Sequence, residues 1–231
     1  MPARWFRREL KDRIRPEKAA FYPRFFKTGP GEYGEGDRFL GVTVPDIRSV
    51  ARVPVSQISP EVIVELLKDE YHECRFLALV LLIRKMQKAE PAERQAFKKL
   101  YLSHLQYVNN WDLVDLSCGP ILGPDCLNNP ALLFDLAKTG DLWQERISVV
   151  TNLYLIKHGN SRPAIRICRG FLSHSHDLIH KACGWVLREL GKKDLEELRR
   201  FLDSYASKMP RTMLRYSLEK LKPAERKKYM K

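Results

Sequence analysis

The sequence predicts an all-α fold made of repeated pairs of helices. From about Ser59 onward, short polar connections alternate with segments whose apolar residues are three and four positions apart, the spacing of one helix face. Five of these segments each have a charged or polar residue ahead of the apolar run, and they start 37, 34, 35 and 30 residues apart. Their first residues are Arg75, Asp112, Arg146, Lys181 and Arg211.

A period of about 35 residues with two helices in each unit is typical of an α-solenoid of the HEAT or armadillo kind. No single unit of this kind can bury its apolar face alone, so the units stack on one shared core. An irregular bundle of helices of ordinary length would give similar spacings and is the alternative. We predict a HEAT-like helical repeat solenoid with a concave basic face.

We place all 231 residues in a single domain, because this length is enough for one continuous stack. Its parts are N-terminal helices in residues 1–58, repeats in residues 59–223 and a basic tail in residues 224–231. Proline at a first helical position, with a carboxylate in the first turn, predicts helix starts at Pro60 and Pro91.

A glycine-rich loop over residues 28–41 interrupts the N-terminal helices. Gly29–Gly34 fits the spacing GxGxxG, but no hydrophobic strand precedes it and no helix follows directly, so the match is accidental. Asp37–Pro45 predicts a short extended segment that leads to a helix opened by Pro45. The loop is either a functional arm or a simple connector.

The charge balance favours a polyanionic partner. There are 41 Lys and Arg against 28 Asp and Glu, a formal net charge of +13, and nucleic acid is the leading class of partner. The longest apolar run, Phe76–Ile83, is too short to cross a bilayer, and Met1–Arg15 is too basic for a secretory signal. We therefore expect a cytoplasmic protein that makes no membrane contact, with its five cysteines reduced and in the core.

In a curved stack, equivalent positions of successive second helices line one concave face. Arg75, Arg146, Lys181 and Arg211 would then form a basic stripe at repeat spacing, along which a DNA duplex could lie. A protein-binding scaffold is disfavoured by the strong positive charge.

The segment Asn109–Asp115 is the sharpest local feature, since an Asn cap is followed by an aromatic residue and two carboxylates. Trp111 and Asp115 are four apart and share a helix face, whereas Asp112 points elsewhere and would only favour the helix dipole. A carboxylate inside a basic groove repels phosphate, and it would be tolerated if it stabilised a cation. The alternative is that Trp111 is a core aromatic and Asp115 a cap or ion-pair partner.

Two later tryptophans, Trp143 and Trp185, lie near the starts of other second helices. Aromatic faces interleaved with cations suit a nucleic-acid backbone, although for Trp143 ordinary packing is the preferred interpretation. His176 and His180 are four apart, but no third ligand accompanies them, so we predict no metal site. No phosphate-binding loop, HExxH or nucleophile elbow is present.

Together, Asn109–Asp115, Trp143–Arg146, Lys181–Gly191 and Met209–Tyr216 resemble the AlkD-like alkylpurine DNA glycosylases, over nearly the whole chain. The resemblance implies HEAT-like repeats, a concave DNA-binding face, no metal and no cofactor. It also implies a monofunctional enzyme that hydrolyses the N-glycosidic bond of cationic purines such as 7-methylguanine and 3-methyladenine in duplex DNA. Such an enzyme would act in base excision repair, at the nucleoid when bound to DNA, and we expect a monomer.

By this resemblance, Asp115 matches the catalytic carboxylate, Trp111 and Trp185 the aromatic pair beside the deoxyribose, and Arg146 an arginine near the backbone. Phe25 or Phe26 occupies the region where the family can place an aromatic close to DNA. The expected DNA-binding residues are Arg75, Lys181, Arg188, Arg211 and Arg215.

A second interpretation comes from the glycine-rich insertion, Gly29–Gly36, which lies outside the compact AlkD pattern. Branches of this superfamily that carry extra elements bind unusual DNA structures with little glycosylase activity. The alternative function is therefore a non-catalytic module that binds branched or distorted DNA.

Overall fold

The structure is a computed structural model that describes residues 1–230. These residues form α-helices joined by short connections and three 3₁₀ turns, and over this range the only β pairing is an isolated bridge between Arg38 and Tyr71. The all-α prediction is confirmed. The helices are α1 Ala3–Lys11, α2 Pro16–Phe25, α3 Val44–Val50, α4 Pro60–Leu67, α5 His72–Met86, α6 Pro91–Leu102, α7 Trp111–Asn128, α8 Ala131–Leu136, α9 Leu142–Val150, α10 Asn152–Lys157, α11 Arg162–Gly170, α12 Asp177–Lys193, α13 Leu195–Tyr205, α14 Arg211–Ser217 and α15 Pro223–Tyr229.

The chain forms two compact units, Met1–Ser117 and the residues from Cys118 onward. In the first unit, α4 and α6 begin at the two prolines that predicted them. The central helix is α5, because every residue from His72 to Leu79 is buried. Helices α1, α3, α4 and α6 pack against it.

The glycine-rich loop is held against the N-terminus of α5. The Glu73 carboxylate accepts hydrogen bonds from the backbone N–H groups of Leu40, Gly41 and Val42 at 2.7–3.1 Å. Gly41 has φ +88°, and a Cβ there would lie 2.5 Å from the Arg15 carbonyl oxygen. These contacts fix the second half of the loop in place, and α3 follows it beside Pro45 as expected.

In the second unit, α12 is the central helix, and α9, α11, α13 and α14 pack against it. Helices α12 and α14 lie close together at Gly184 of α12, because a Cβ there would lie 2.6 Å from the carbonyl oxygen of Met213 in α14. Each helix that the sequence predicted as the second of a pair is present: α5, α7, α9, α12 and α14 contain Arg75, Asp112, Arg146, Lys181 and Arg211 in that order. This order of helices is consistent with a helical repeat fold.

The five cysteines are free and buried, as predicted; they are Cys74, Cys118, Cys126, Cys168 and Cys183. Among the described helices, none has both the length and the apolar composition needed to cross a bilayer.

Candidate functional site

The N-terminus of α7 carries the two residues of greatest interest in the first unit. Helix α7 begins at Trp111, whose N–H donates to the side-chain oxygen of the buried Asn110 at 2.9 Å. Asp115 follows one turn later, so that Trp111 and Asp115 share a helix face, and both are half-buried. The local placement predicted from sequence for this pair is confirmed.

A buried chain of charged groups holds this N-terminus. His72 Nε2 donates to Asp112 Oδ2 at 2.8 Å, and His72 Nδ1 donates to Asp37 Oδ2 at 2.9 Å. The other oxygen of Asp37 accepts a hydrogen bond from the Arg75 guanidinium. We call these four residues the His72 chain. It joins the glycine-rich loop, α5 and α7 through side chains alone.

The charges within the His72 chain stabilise one another. Burial by itself lowers the pKa of His72, but the attraction of Asp112 and the hydrogen bonds to both carboxylates outweigh it and raise the pKa to about 9. For Asp37, burial raises the pKa. The hydrogen bond from His72 and the charge of Arg75 lower it by more, so the pKa of Asp37 is below its usual value. At neutral pH His72 is an imidazolium that donates from both nitrogens.

Beside the His72 chain lies a cavity of about 340 Å³, which we call the aromatic cavity. Phe26 stacks on Phe39 with 4.9 Å between ring centroids, and on Trp111 with 5.4 Å, at interplanar angles of 16° and 19°. The edge of Phe25 meets Trp111 at 5.8 Å. The lining residues are Phe21, Tyr22, Phe25, Phe26, Phe39, Val42, Val44, Ile47, His72, Glu73, Phe76, Trp111 and Asp112.

The sequence interpretation of Asp112 was wrong. Asp112 was expected to interact only with the helix dipole, but it lines the aromatic cavity and accepts a hydrogen bond from His72. Asp37 and His72 were not identified, because partners 35 and 40 residues apart share no local pattern. Phe25 and Phe26, two weaker candidates, both contact Trp111.

Arg75 does not lie on an exposed basic stripe, and that part of the sequence prediction is corrected. Arg75 is only 5% exposed. Its guanidinium donates one hydrogen bond to Asp37 and another, of 2.9 Å, to the carbonyl oxygen of Asp69. Arg146 is also 5% exposed, and its Nη1 donates to the Leu178 carbonyl oxygen at 2.7 Å. Both arginines tie backbone segments of their own unit together.

Other predicted residues of the second unit remain closer to solvent. Trp185 on α12 is half-buried and lines a second cavity with Leu153, Ile156, Lys157, Glu189, Lys192 and Lys193. Lys181, one turn earlier, pairs with Asp177 at 2.9 Å, and Arg188 pairs with Glu219. Arg211 and Arg215 are exposed on α14.

The histidines near the start of α12 have structural partners. His174 Nε2 lies 3.0 Å from Glu145 Oε2, His180 Nε2 contacts the His174 carbonyl oxygen, and His176 Nδ1 accepts from the Leu178 N–H at 3.1 Å. Within residues 1–230, no cluster of three or more potential metal ligands occurs.

Comparison with known proteins gives a family and a fold. The sequence model of a family described as DNA alkylation repair enzyme matches residues 6–221. A solved structure described as a predicted DNA alkylation repair enzyme from Enterococcus faecalis is similar in fold, with a TM-score of 0.72 and 17% sequence identity. The similarity covers 91% of this chain and 98% of that one. No curated protein matches the sequence.

Proposed function

The chain belongs to the DNA alkylation repair enzyme family, and from this membership we propose that it is a monofunctional DNA glycosylase. Its substrates would be the cationic alkylated purines 7-methylguanine and 3-methyladenine in duplex DNA, and its action would begin base excision repair. In this proposal the protein acts as a monomer, in the cytoplasm, without a metal or an organic cofactor.

One observation carries this proposal: Trp111 and Asp115 share a face of α7, and the buried His72 chain fixes the start of that helix. A ring and a carboxylate on one rigid face suit a sugar that becomes positively charged. Because the first turn of α7 is anchored at Asp112, the backbone that carries both side chains is in place before DNA binds.

The proposed reaction is hydrolysis of the bond between C1′ of the deoxyribose and the purine. The C1′–N bond breaks, its electron pair passes to the purine, and the positive charge of the ring is thereby cancelled. An oxocarbenium-like sugar remains, and the Asp115 carboxylate stabilises it. Water then adds to C1′ and loses a proton to the carboxylate and finally to solvent. The products are a neutral free base and an abasic site.

The remaining residues receive the roles that the family resemblance implies. Trp185 would support the deoxyribose with Trp111. The resemblance implies a place near the DNA backbone for Arg146, but Arg146 is only 5% exposed and donates to the Leu178 carbonyl oxygen, so its role would be to position α12. Lys181, Arg188, Arg211 and Arg215 would contact phosphates, and the net charge of +13 supports this attraction. Arg75 has no place in this set, because it is buried within the His72 chain.

The second candidate function is a non-catalytic module that binds branched or distorted DNA. Its support is the glycine-rich loop, which the compact AlkD pattern lacks. A carboxylate at Asp115 favours the enzyme instead, since a protein that only binds phosphate has no evident use for it.

Release of free 7-methylguanine and 3-methyladenine from methylated duplex DNA tests the proposal. We expect release by the wild type and a decrease of about 100-fold or more in Asp115→Asn, as for loss of one strong electrostatic contact to a transition state. Asp135→Asn is the matched control, because Asp135 is exposed on α8 and its variant removes the same charge.

DNA affinity and thermal unfolding of each variant complete the experiment. Unchanged affinity with abolished release would assign chemistry to Asp115. Equal release by wild type and Asp115→Asn would remove Asp115 from the mechanism. Tight, salt-sensitive binding without release by the wild type would replace the glycosylase proposal with the DNA-structure-binding function.

A further inference from the structure

The cavity beside Trp185 lies wholly within the second unit, and we call it the Trp185 cavity. Its volume of about 410 Å³ lies within the range of roughly 300–1,000 Å³ typical of small-molecule sites. Leu153 and Ile156 of α10, together with the ring of Trp185 on α12, form the apolar part of its lining. Such a surface suits the carbon face of a deoxyribose, which loses contact with water when it packs there.

The rest of the lining is charged and mostly positive. Lys157 lies at the end of α10, Lys192 and Lys193 lie in the last turn of α12, and Glu189 contributes a carboxylate. Lys192 pairs with Glu189, with 2.7 Å between Nζ and Oε1. Lys157 and Lys193 are exposed, and within residues 1–230 neither makes an ion pair or a side-chain hydrogen bond. Two cations at this cavity are therefore available to an anion.

The two unpaired lysines come from different helices. A lysine near the C-terminus of a helix complements the helix dipole, and this alone would account for each lysine by itself. It does not account for their meeting at one cavity, to which the packing of α10 against α12 brings them. Cations that converge beside an aromatic ring suit a polyanion whose charges alternate with sugars, as in a DNA strand.

The spacing along α12 fits the repeat of a DNA strand. Trp185, Lys192 and Lys193 share a helix face, because they are seven and eight positions apart. At a rise of about 1.5 Å per residue, Trp185 and Lys192 are separated by about 10 Å along the helix. Nucleotides of one strand follow each other at about 3.4 Å along the duplex axis. The lysines therefore reach phosphates within a few nucleotides of a sugar that contacts Trp185.

We propose that Lys157 and Lys193 bind phosphates next to the damaged nucleotide and so hold its deoxyribose against Trp185. This inference rests on the proposed function, which places Trp185 beside that sugar, and it adds a phosphate-binding site to it. The contacts are made with the strand backbone alone, so this part of recognition needs no cavity for the base. Lys192 contributes less, because Glu189 already neutralises its charge.

Uncharged phosphate analogues in the DNA test this contact directly. The probe is a duplex with a tetrahydrofuran in place of the damaged nucleotide, which has no base to release, so that binding is measured without chemistry. A methylphosphonate, which carries no charge, replaces each of the nearest phosphates on either side in turn. At one or more of these positions it should weaken binding by the wild type by about tenfold, as for loss of a hydrogen bond between charged groups.

Lys157→Ala and Lys193→Ala should each weaken binding of the duplex with an ordinary backbone by about tenfold. The methylphosphonate at the position that a lysine contacts should then cost that variant little further affinity, because the contact is already lost.

Lys138→Ala is the matched control, because Lys138 is an exposed lysine that follows α8 in the second unit, outside the Trp185 cavity. Its affinity should be close to that of the wild type, and each methylphosphonate should weaken its binding as it does for the wild type. Thermal unfolding should verify the fold of all three variants.

Four results would overturn the inference: no binding of the tetrahydrofuran duplex, no neighbouring methylphosphonate that weakens wild-type binding, lysine variants that bind as tightly as Lys138→Ala, or methylphosphonate effects that are undiminished in both lysine variants. Base release from methylated DNA, measured on the same preparations, reports on the proposed function independently. Release with any of these four results would leave the glycosylase standing and remove the two lysines from it. The expected binding results without release would keep the phosphate site and remove the chemistry.

Discussion

His72 on α5 donates a hydrogen bond from Nε2 to Asp112 in the first turn of α7, with 2.8 Å between the two atoms. The same imidazole donates from Nδ1 to Asp37 at the end of the glycine-rich loop. One protonated side chain thus fixes both the helix that carries Trp111 and Asp115 and the loop that places Phe39 against Phe26. Folding stability and the geometry of the candidate site depend on the same group.

Replacing His72 should strongly destabilise the first unit. His72→Leu leaves the carboxylate of Asp112 without its imidazolium partner and leaves Arg75 as the one cation bonded to Asp37. Removal of one partner from a buried ion pair costs about 3–5 kcal/mol, and we expect a loss near the lower end because Asp37 keeps one cation. Urea unfolding of the purified variant and of the wild type measures this loss of unfolding free energy.

His158→Leu is the control for that experiment, since His158 is exposed in the second unit and bonds only to its own helix turn. Its effect should be within about 0.5 kcal/mol. An equally small loss in His72→Leu would mean that the His72 chain contributes nothing to stability.

The stabilisation by His72 should disappear at alkaline pH. The folded-state pKa of His72 is about 9, above the ordinary 6.5, so the protonated form stabilises the fold. The contribution is complete below about pH 6.5, decreases between pH 6.5 and 9, and is absent above that range. A shift of this size corresponds to roughly 3 kcal/mol.

Urea titrations of wild type and His72→Leu from pH 6 to pH 10 test this pH dependence. They give the difference in unfolding free energy between the two proteins at each pH. The difference should decrease as the pH rises. A difference that stays constant over the whole range would show that folding does not change the pKa of His72. Asp37 adds the opposite dependence, because its lowered pKa stabilises the fold at neutral pH and this contribution is lost on acidification.

Helices and their starts could be predicted because the signals are local. Proline with a carboxylate in the first turn located α4 and α6, and the apolar spacing located the helices that contain Arg75, Arg146 and Lys181. The face shared by Trp111 and Asp115 follows from a spacing of four. Each of these inferences needs only a few neighbouring residues.

The buried contacts could not be predicted in this way, because their partners are far apart in sequence. Arg75 carries a full charge and begins a repeat segment, so the pattern suggested an exposed position. Its burial depends on Asp37, 38 residues earlier, which the glycine-rich loop brings to it. The same loop contributes Phe39 to the aromatic cavity, whereas the sequence alone left open whether it is a functional arm or a simple connector.

A side chain at Gly34 should disturb the loop and the cavity together. A Cβ there would lie 2.5 Å from the Phe26 carbonyl oxygen and 3.1 Å from the Asn110 side-chain nitrogen, so the backbone must move. Gly34→Ala should lose about 2 kcal/mol of unfolding free energy. Gly170→Ala is the matched control, because a Cβ at Gly170 meets nothing within 4 Å. Thermal unfolding compares the two, and equal stability would mean that the loop moves freely.

The exposed arginines of α14 should affect the salt dependence of DNA binding. If Arg211 contacts a phosphate, Arg211→Ala should weaken binding to all duplex sequences alike and reduce the slope of log Kd against log salt by about 1. Arg215→Ala should behave in the same way. Arg52→Ala removes the same charge from an exposed site in the first unit that was not predicted to bind DNA, and its slope should equal that of the wild type. Fluorescence anisotropy at several salt concentrations gives the slope for each variant and for the wild type. Identical slopes for all three variants would mean that α14 makes no phosphate contact and acts only through net charge.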